Sequence, residues 1–115
     1  MAWLLREGDV LASAEVASSR RARRQGLLGR DQFDGALVLR PCRQVHTFGM
    51  QIPIDIIWCD ADGKVLRIAS LRPGRVSRPV VRAKFVIEVA EGATSRWGIQ
   101  VGDDLEVRVD GAGES

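Results

Sequence analysis

Polar and apolar positions alternate in short runs along most of the 115-residue chain, and glycine- and proline-bearing turns separate the runs. Trp3–Arg6 and Val10–Val16 read as two short strands joined at Glu7-Gly8-Asp9. GALVLR, from Gly35, reads as a mostly buried strand stopped by Pro41. After Pro53, the two-residue period of a strand puts Ile54, Ile56 and Trp58 on one face and Asp55, Ile57 and Cys59 on the other. Asp60-Ala61-Asp62-Gly63 is a strong turn signal, so the strands around it form an antiparallel hairpin. Pro73-Gly74 ends the second strand, and Pro79 argues against a central strand before Lys84. Lys84–Ala90 alternates again with Phe85, Ile87 and Val89 inward. Val101-Gly102-Asp103 is a further turn. Leu105, Val107 and Val109 then alternate with Glu106, Arg108 and Asp110, the pattern of a strand with one wet face.

One stretch departs from this period. Ser18 or Ser19 offers a side-chain oxygen to cap a helix over SRRARRQGLLG. Arg20, Arg21, Arg23 and Arg24 cover most of its circumference and leave Ala22, Gly26 and Leu27 as a buried stripe, so the helix lies on the surface. Gly26 either permits close approach there or ends the helix. GATSRWGI predicts one further helical turn, ended by Gly98. The sum is a mainly β protein, a compact antiparallel barrel or jelly-roll-like sandwich with one surface helix. It forms a single β domain over residues 1–110, with GAGES, 111–115, as a disordered tail. No βαβ alternation supports a parallel sheet.

Composition changes the picture little. Apolar residues make up 45% and charged residues 28%, the balance of a soluble globular protein. The net charge of +2 implies no nucleic-acid partner, and aromatics at 5% supply no stacking platforms beside the arginine runs. The distribution of charge says more. Lys64 to Lys84 carries seven bases and no acid, whereas acids dominate from Glu88 onward. Pairing of the two segments across neighbouring strands is the favoured arrangement. The N-terminal apolar run is too short for a signal peptide, and no stretch is long enough to span a membrane, so a cytoplasmic location is expected. In that compartment Cys42 and Cys59 are free thiols rather than a disulfide.

Candidate chemistry concentrates in PCRQVHTFGMQIPID, residues 41–55, which holds the lone histidine, one cysteine and an aspartate among aliphatics. A Cys42–His46 pair has the makings of an activated thiolate. With Cys59 or Asp55 the pair would approach a metal set, although two cysteines and one histidine fall short of a zinc tetrad, and no metal or cofactor is expected. Structural or ligand-lining work is the simpler account of Cys42 and His46. Asp55, flanked by isoleucines, needs a partner for its carboxylate. Backbone amides, Thr47 or an arginine would serve, and its first role is to pin the 46–53 loop. Arg72, Arg75 and Arg78 flank Pro73-Gly74, and their forks suit carboxylate or phosphate. They suggest an anion site shared with His46.

Four motifs in order, QGLLGR, VHTFGMQIPIDIIWCDADGKVLRI, VIEVAEG and VGDDLEV, resemble the domain of unknown function numbered 192, from about Glu15 to Val109. The resemblance is to the subset with HTFGM, where many relatives have Trp, Met, Lys and Asn after the phenylalanine. It implies a compact β fold with a barrel-like or jelly-roll core and carries no activity. It marks Phe48, Met50, Pro53, Asp55, Gly63, Glu88, Gly92 and Gly102 as motif positions. Glycines there serve turns, and Pro53 fixes the start of a strand through an Ile52-Pro53 bond of either isomer.

The functional expectation is a small cytoplasmic binding or accessory module that recognises a small anionic ligand or a protein partner. Its candidate ligand-binding residues are Cys42, His46, Thr47, Met50, Asp55, Arg72 and Arg75. The alternatives are an enzyme working through Cys42, His46 and Asp55, and weak nucleic-acid binding through the arginine-rich segments.

Overall fold

The computed structural model describes residues 1–109, so the expected disordered tail lies outside the described residues. Seven strands form one sheet: β1 (Ala2–Arg6), β2 (Asp9–Ala17), β3 (Ala36–Leu39), β4 (Ile54–Cys59), β5 (Val65–Leu71), β6 (Phe85–Ala90) and β7 (Leu105–Val109). Two short helices, α1 (Arg20–Gln25) and α2 (Ala93–Trp97), complete the fold. The order across the sheet is β5-β4-β6-β3-β2-β1-β7.

The turns follow from local chemistry. Glu7 and Gly8 both adopt positive φ between β1 and β2, the geometry that matches a two-residue loop to twisted strands. At the β4–β5 turn, Asp60 Oδ1 accepts from the backbone N–H groups of Asp62 and Lys64. The single cis peptide among the described residues is Arg40–Pro41, not Ile52–Pro53.

Two features depart from the expected architecture. First, β2 and β3 pair in parallel, Ala14 with Ala36 through Ala17 with Leu39, so the sheet is mixed. The crossover runs through α1, whose six residues bury none of their side chains. The stripe expected over Ala22, Gly26 and Leu27 does not form on the helix, because the helix ends at Gln25 and Leu27 is buried only beyond it, so the βαβ signature is weak. Second, the sheet curls but does not close into a barrel. Its outer strands meet only at their starts, where Lys64 bridges Asp104 and the Leu105 N–H donates to Gly63 O at 2.9 Å. Gly63 has φ +89, and a Cβ there would sit 2.0 Å from Leu105 O, so only glycine allows the approach. The expected pairing of basic and acidic segments is also absent among the described ion pairs, which are Arg6–Asp103, Glu15–Arg30 and Glu106–Arg108. Strand order explains this: β5 has only β4 as its ladder partner, so most of the basic stretch lies beyond reach of the acids near β7.

The central strands β3, β4 and β6 are buried on both faces, which is why they read as nearly continuous apolar runs. One face holds Leu4, Val38, Ile57, Cys59, Phe85, Ile87 and Val89 and is covered by α2. The other holds Leu37, Leu39, Ile54, Ile56, Trp58 and Val86 and is covered by Leu27 after α1 and by the loop residues Val45, Met50 and Ala83. The two faces differ in how they are sealed, and that difference places the candidate site.

Candidate functional site

The loops 40–53 and 72–83 lie against each other and wall the second face. Val45 O accepts from the Ser77 N–H, Arg43 O from the Val80 N–H, and His46 bridges Val76. Thr47 is the clasp. It is fully buried, its hydroxyl donates to Arg72 O at 2.6 Å and accepts from the Arg75 N–H at 2.9 Å, and its carbonyl accepts from Gly74. Trp58, fully buried in β4, donates Nε1–H to Arg43 O at 2.9 Å and fixes the first loop to the sheet.

A cavity of about 280 Å³ lies between this wall, the end of α1 and the sheet. That is just under the usual size of small-molecule sites, roughly 300–1,000 Å³. Leu39 and Glu88 come from the sheet. Cys42, Gln44, Val45, His46 and Met50 come from the loop, and residues 23–28 come from α1 and its C-terminal turn. The helix ends where it does because Ser19 caps its start through the Ala22 N–H and Gly26 takes φ +45 at its close. At Gly26 the backbone passes over Glu88, and a Cβ would stand 3.6 Å from Glu88 Oε1.

Glu88 is the unusual group. It is 3% exposed, and its Oε1 is the one buried side-chain oxygen or nitrogen among the described residues with no hydrogen-bond partner. It opposes Leu37 on β3 and Ile56 on β4. Burial among such neighbours pushes its carboxyl up to about 7 from an ordinary 4.5. Sequence reasoning placed Glu88 in a motif but not in the site. The available signal was FVIEVA, a run too apolar for a half-wet strand, which makes a glutamate within it a buried one.

The sequence-nominated residues separate into three groups. Cys42, His46 and Met50 line the cavity. Cys42 is half-buried, and its Sγ–H donates to Gln44 O at 3.3 Å. Burial pushes its thiol up, a backbone hydrogen bond from Gln44 opposes that, and Glu88 raises it further, the reverse of what an activated thiolate needs. His46 is exposed, stacks on Phe48 with ring centroids 5.5 Å apart, and also borders a second groove with Phe48 and Val76. Thr47, Arg72 and Arg75 meet through Thr47 and the two arginines' backbones, and the arginines that line the cavity are Arg23 and Arg24 instead.

Asp55 goes elsewhere. On the opposite face of β4, 2% exposed, it accepts from Ser70 Oγ at 2.7 Å, Thr94 Oγ1 at 2.6 Å, and the N–H groups of Gly92 and Thr94 at 3.1 and 3.3 Å. It pins the start of α2 rather than the 46–53 loop. Period-2 alternation sends Asp55 and Cys59 together to that sealed side, so neither joins Cys42 and His46 in a catalytic or metal-binding group. Among the described residues, no three His, Cys, Asp or Glu side chains are placed to hold a metal ion. No helix of the described residues is long and apolar enough to cross a membrane.

Comparison with known proteins gives a consistent result. A UPF0127 protein of Pyrococcus abyssi is 37% identical over 62 residues, 54% of this chain and 53% of the relative. A UPF0127 protein of Pyrococcus furiosus is 32% identical over 62 residues, again 53% of its length. The matched stretch spans about half the length of these relatives. The fold is shared with a crystal structure of a protein of unknown function from Novosphingobium aromaticivorans. The TM-score is 0.79 at 22% identity, over 91% of this chain and 82% of that one. It is also shared with a Sinorhizobium meliloti protein proposed to be a transcription regulator. Here the TM-score is 0.77 at 22% identity, over 92% and 91% of the two chains. The model of the uncharacterised family DUF192 (Uncharacterized ACR) matches residues 3–107, nearly the whole chain, and the chain belongs to that family.

Proposed function

We propose that this protein is a small-molecule binding module, with its site in the cavity beneath α1 and a small anionic compound as its ligand. The observation that carries this reading is Glu88. A buried carboxyl oxygen without a partner is costly, and its residue lines a cavity of about 280 Å³ together with Arg23 and Arg24. Leu27, Leu39, Val45 and Met50 supply apolar walls, and Arg23 and Arg24 supply positive charge. A cytoplasmic location belongs to the same reading, in keeping with the free thiols Cys42 and Cys59. A partner protein is the second reading. It is favoured by Phe48 and Val76, 53% and 51% exposed beside the groove that His46 borders.

The test is thermal melting of the purified protein against short carboxylates, amino acids and inorganic phosphate. At least one compound should raise the melting temperature, Arg24→Ala should remove the gain, and Arg75→Ala should leave it. A well-folded sample that responds to none of them defeats the small-molecule reading.

A further inference from the structure

The two ends of the cavity differ in charge, and that difference specifies a ligand more narrowly. Glu88 sits on the sheet side, opposite neither a lysine nor an arginine in its ladder: its cross-strand partners are Leu37 and Ile56. The charged or titratable groups that share its cavity are Arg23 and Arg24 from α1 and Cys42 and His46 from the loop. Arg23 is already committed, since its guanidinium donates to Ser18 O and Arg40 O. Arg24 is exposed and has no ion-pair partner among the described residues. Leucine, valine and methionine side chains line the walls between.

We propose that the cavity takes a short amino acid, with its ammonium group against the Glu88 carboxyl and its carboxylate toward Arg24. This rests on the small-molecule reading above and narrows it to a substrate class. A hydroxyl would give the carboxyl a hydrogen bond but leave the carboxylate's charge uncompensated in an apolar setting. An ammonium group supplies both the donor and the opposite charge. The methylene groups between the two ends match the apolar walls.

The proposal also fixes a pH profile. With its carboxyl pushed up to about 7 by burial, Glu88 is largely neutral in acid, and an ammonium ligand must displace that proton to bind. Affinity therefore falls about tenfold for each pH step below 7 and levels off above it. His46, which also lines the cavity, is replaced by asparagine in a control so that the profile reports Glu88.

The experiment is calorimetric titration with glycine, β-alanine, 4-aminobutyrate and 6-aminohexanoate, beside butyrate and butylamine, each of which lacks one charge. One chain length should bind at least tenfold more tightly than either control. Glu88→Gln should erase its advantage over butyrate, and Arg24→Ala, at an exposed site that folding tolerates, should erase its advantage over butylamine. Butyrate binding as well as every amino acid would overturn the amino-acid proposal and leave the anion reading standing. Binding of an amino acid with no pH dependence between 5 and 7 in His46→Asn would remove Glu88 from the contact. Silence from every compound would overturn both readings.

Discussion

Asp55 and Glu88 are both carboxylates, both nearly sealed from water, on strands that pair side by side, yet they point to opposite faces of the sheet. Asp55 accepts from two hydroxyls and two backbone N–H groups and joins β4, β5 and α2. Glu88 has an oxygen with no protein donor and lines a cavity. The contrast separates two uses of a buried acid. Where the fold supplies every donor, the acid fastens elements together and has little left to offer a ligand. Where the fold withholds a donor, the cost of burial is carried in the empty state and is recovered only when something else binds.

Removing Asp55 should break the comparison from its stronger side. Asp55→Ala leaves the Gly92 and Thr94 amides and two hydroxyls without their acceptor at the start of α2. A loss of about 3–5 kcal/mol is expected. Chemical denaturation gives the measurement. A loss under about 1 kcal/mol would mean that water replaces the carboxylate easily and that the two acids are less different than their partners imply.

Glu88 should respond with the opposite sign. Its folded-state value of about 7 lies above the ordinary 4.5, so between these pH values the native protein holds a proton that the unfolded chain has released. The associated stability is complete below about pH 4.5 and is lost as pH rises through 7. The gap corresponds to at most about 3 kcal/mol. Glu88→Gln keeps the shape and removes the titration. The variant should therefore match the parent near pH 4 and exceed its stability by up to that amount at pH 8, read as the difference between their denaturation curves. Equal curves at both pH values would mean that the carboxyl is well solvated through the cavity.

The sealed side of this contrast was more legible in the sequence than the open side. Alternation alone assigned Ile54, Ile56 and Trp58 to one face and Asp55, Ile57 and Cys59 to the other, because the side-chain period of a strand is fixed by covalent geometry. Turns at Glu7-Gly8, Asp60–Gly63 and Gly98 were legible for a similar reason, since their residues favour the required backbone angles. The parallel β2–β3 pair was not, because it depends on how α1 crosses the sheet and α1 carries no apolar stripe. Asp55's partners were equally hidden: Ser70 is 15 positions away and Thr94 is 39, and only the folded strand order brings them to one carboxylate. The expected anion site placed the loop bearing His46 beside the arginine turn, and the His46–Val76 bridge does bring the two loops together, but which arginines reach the cavity was not legible. A flexible side chain beside a turn can point several ways, and in the fold Thr47 engages the backbones of Arg72 and Arg75.

The two cysteines extend the comparison with the smallest expected effect. Cys59 lies on the sealed face, fully buried, with its thiol pushed up to about 12 by burial and then by neighbouring Asp60. Cys42 lines the open cavity, half-buried, with burial raising its thiol and Glu88 adding to the rise. Alkylation depends on the thiolate fraction and on access. In native protein at pH 8, iodoacetamide should therefore modify Cys42 slowly, several-fold below free cysteine, and should reach Cys59 only after unfolding. Glu88→Gln removes the negative charge that faces Cys42 and should speed its reaction by roughly two- to threefold, leaving Cys59 unchanged. Mass spectrometry of the two peptides reads both sites at once. If Cys42 reacted as fast as free cysteine, its thiol would not be under the influence of burial and Glu88. Labelling of both cysteines at one rate would mean that the α2 face opens as readily as the cavity face, and the distinction between a sealed side and an open side of the sheet would fail.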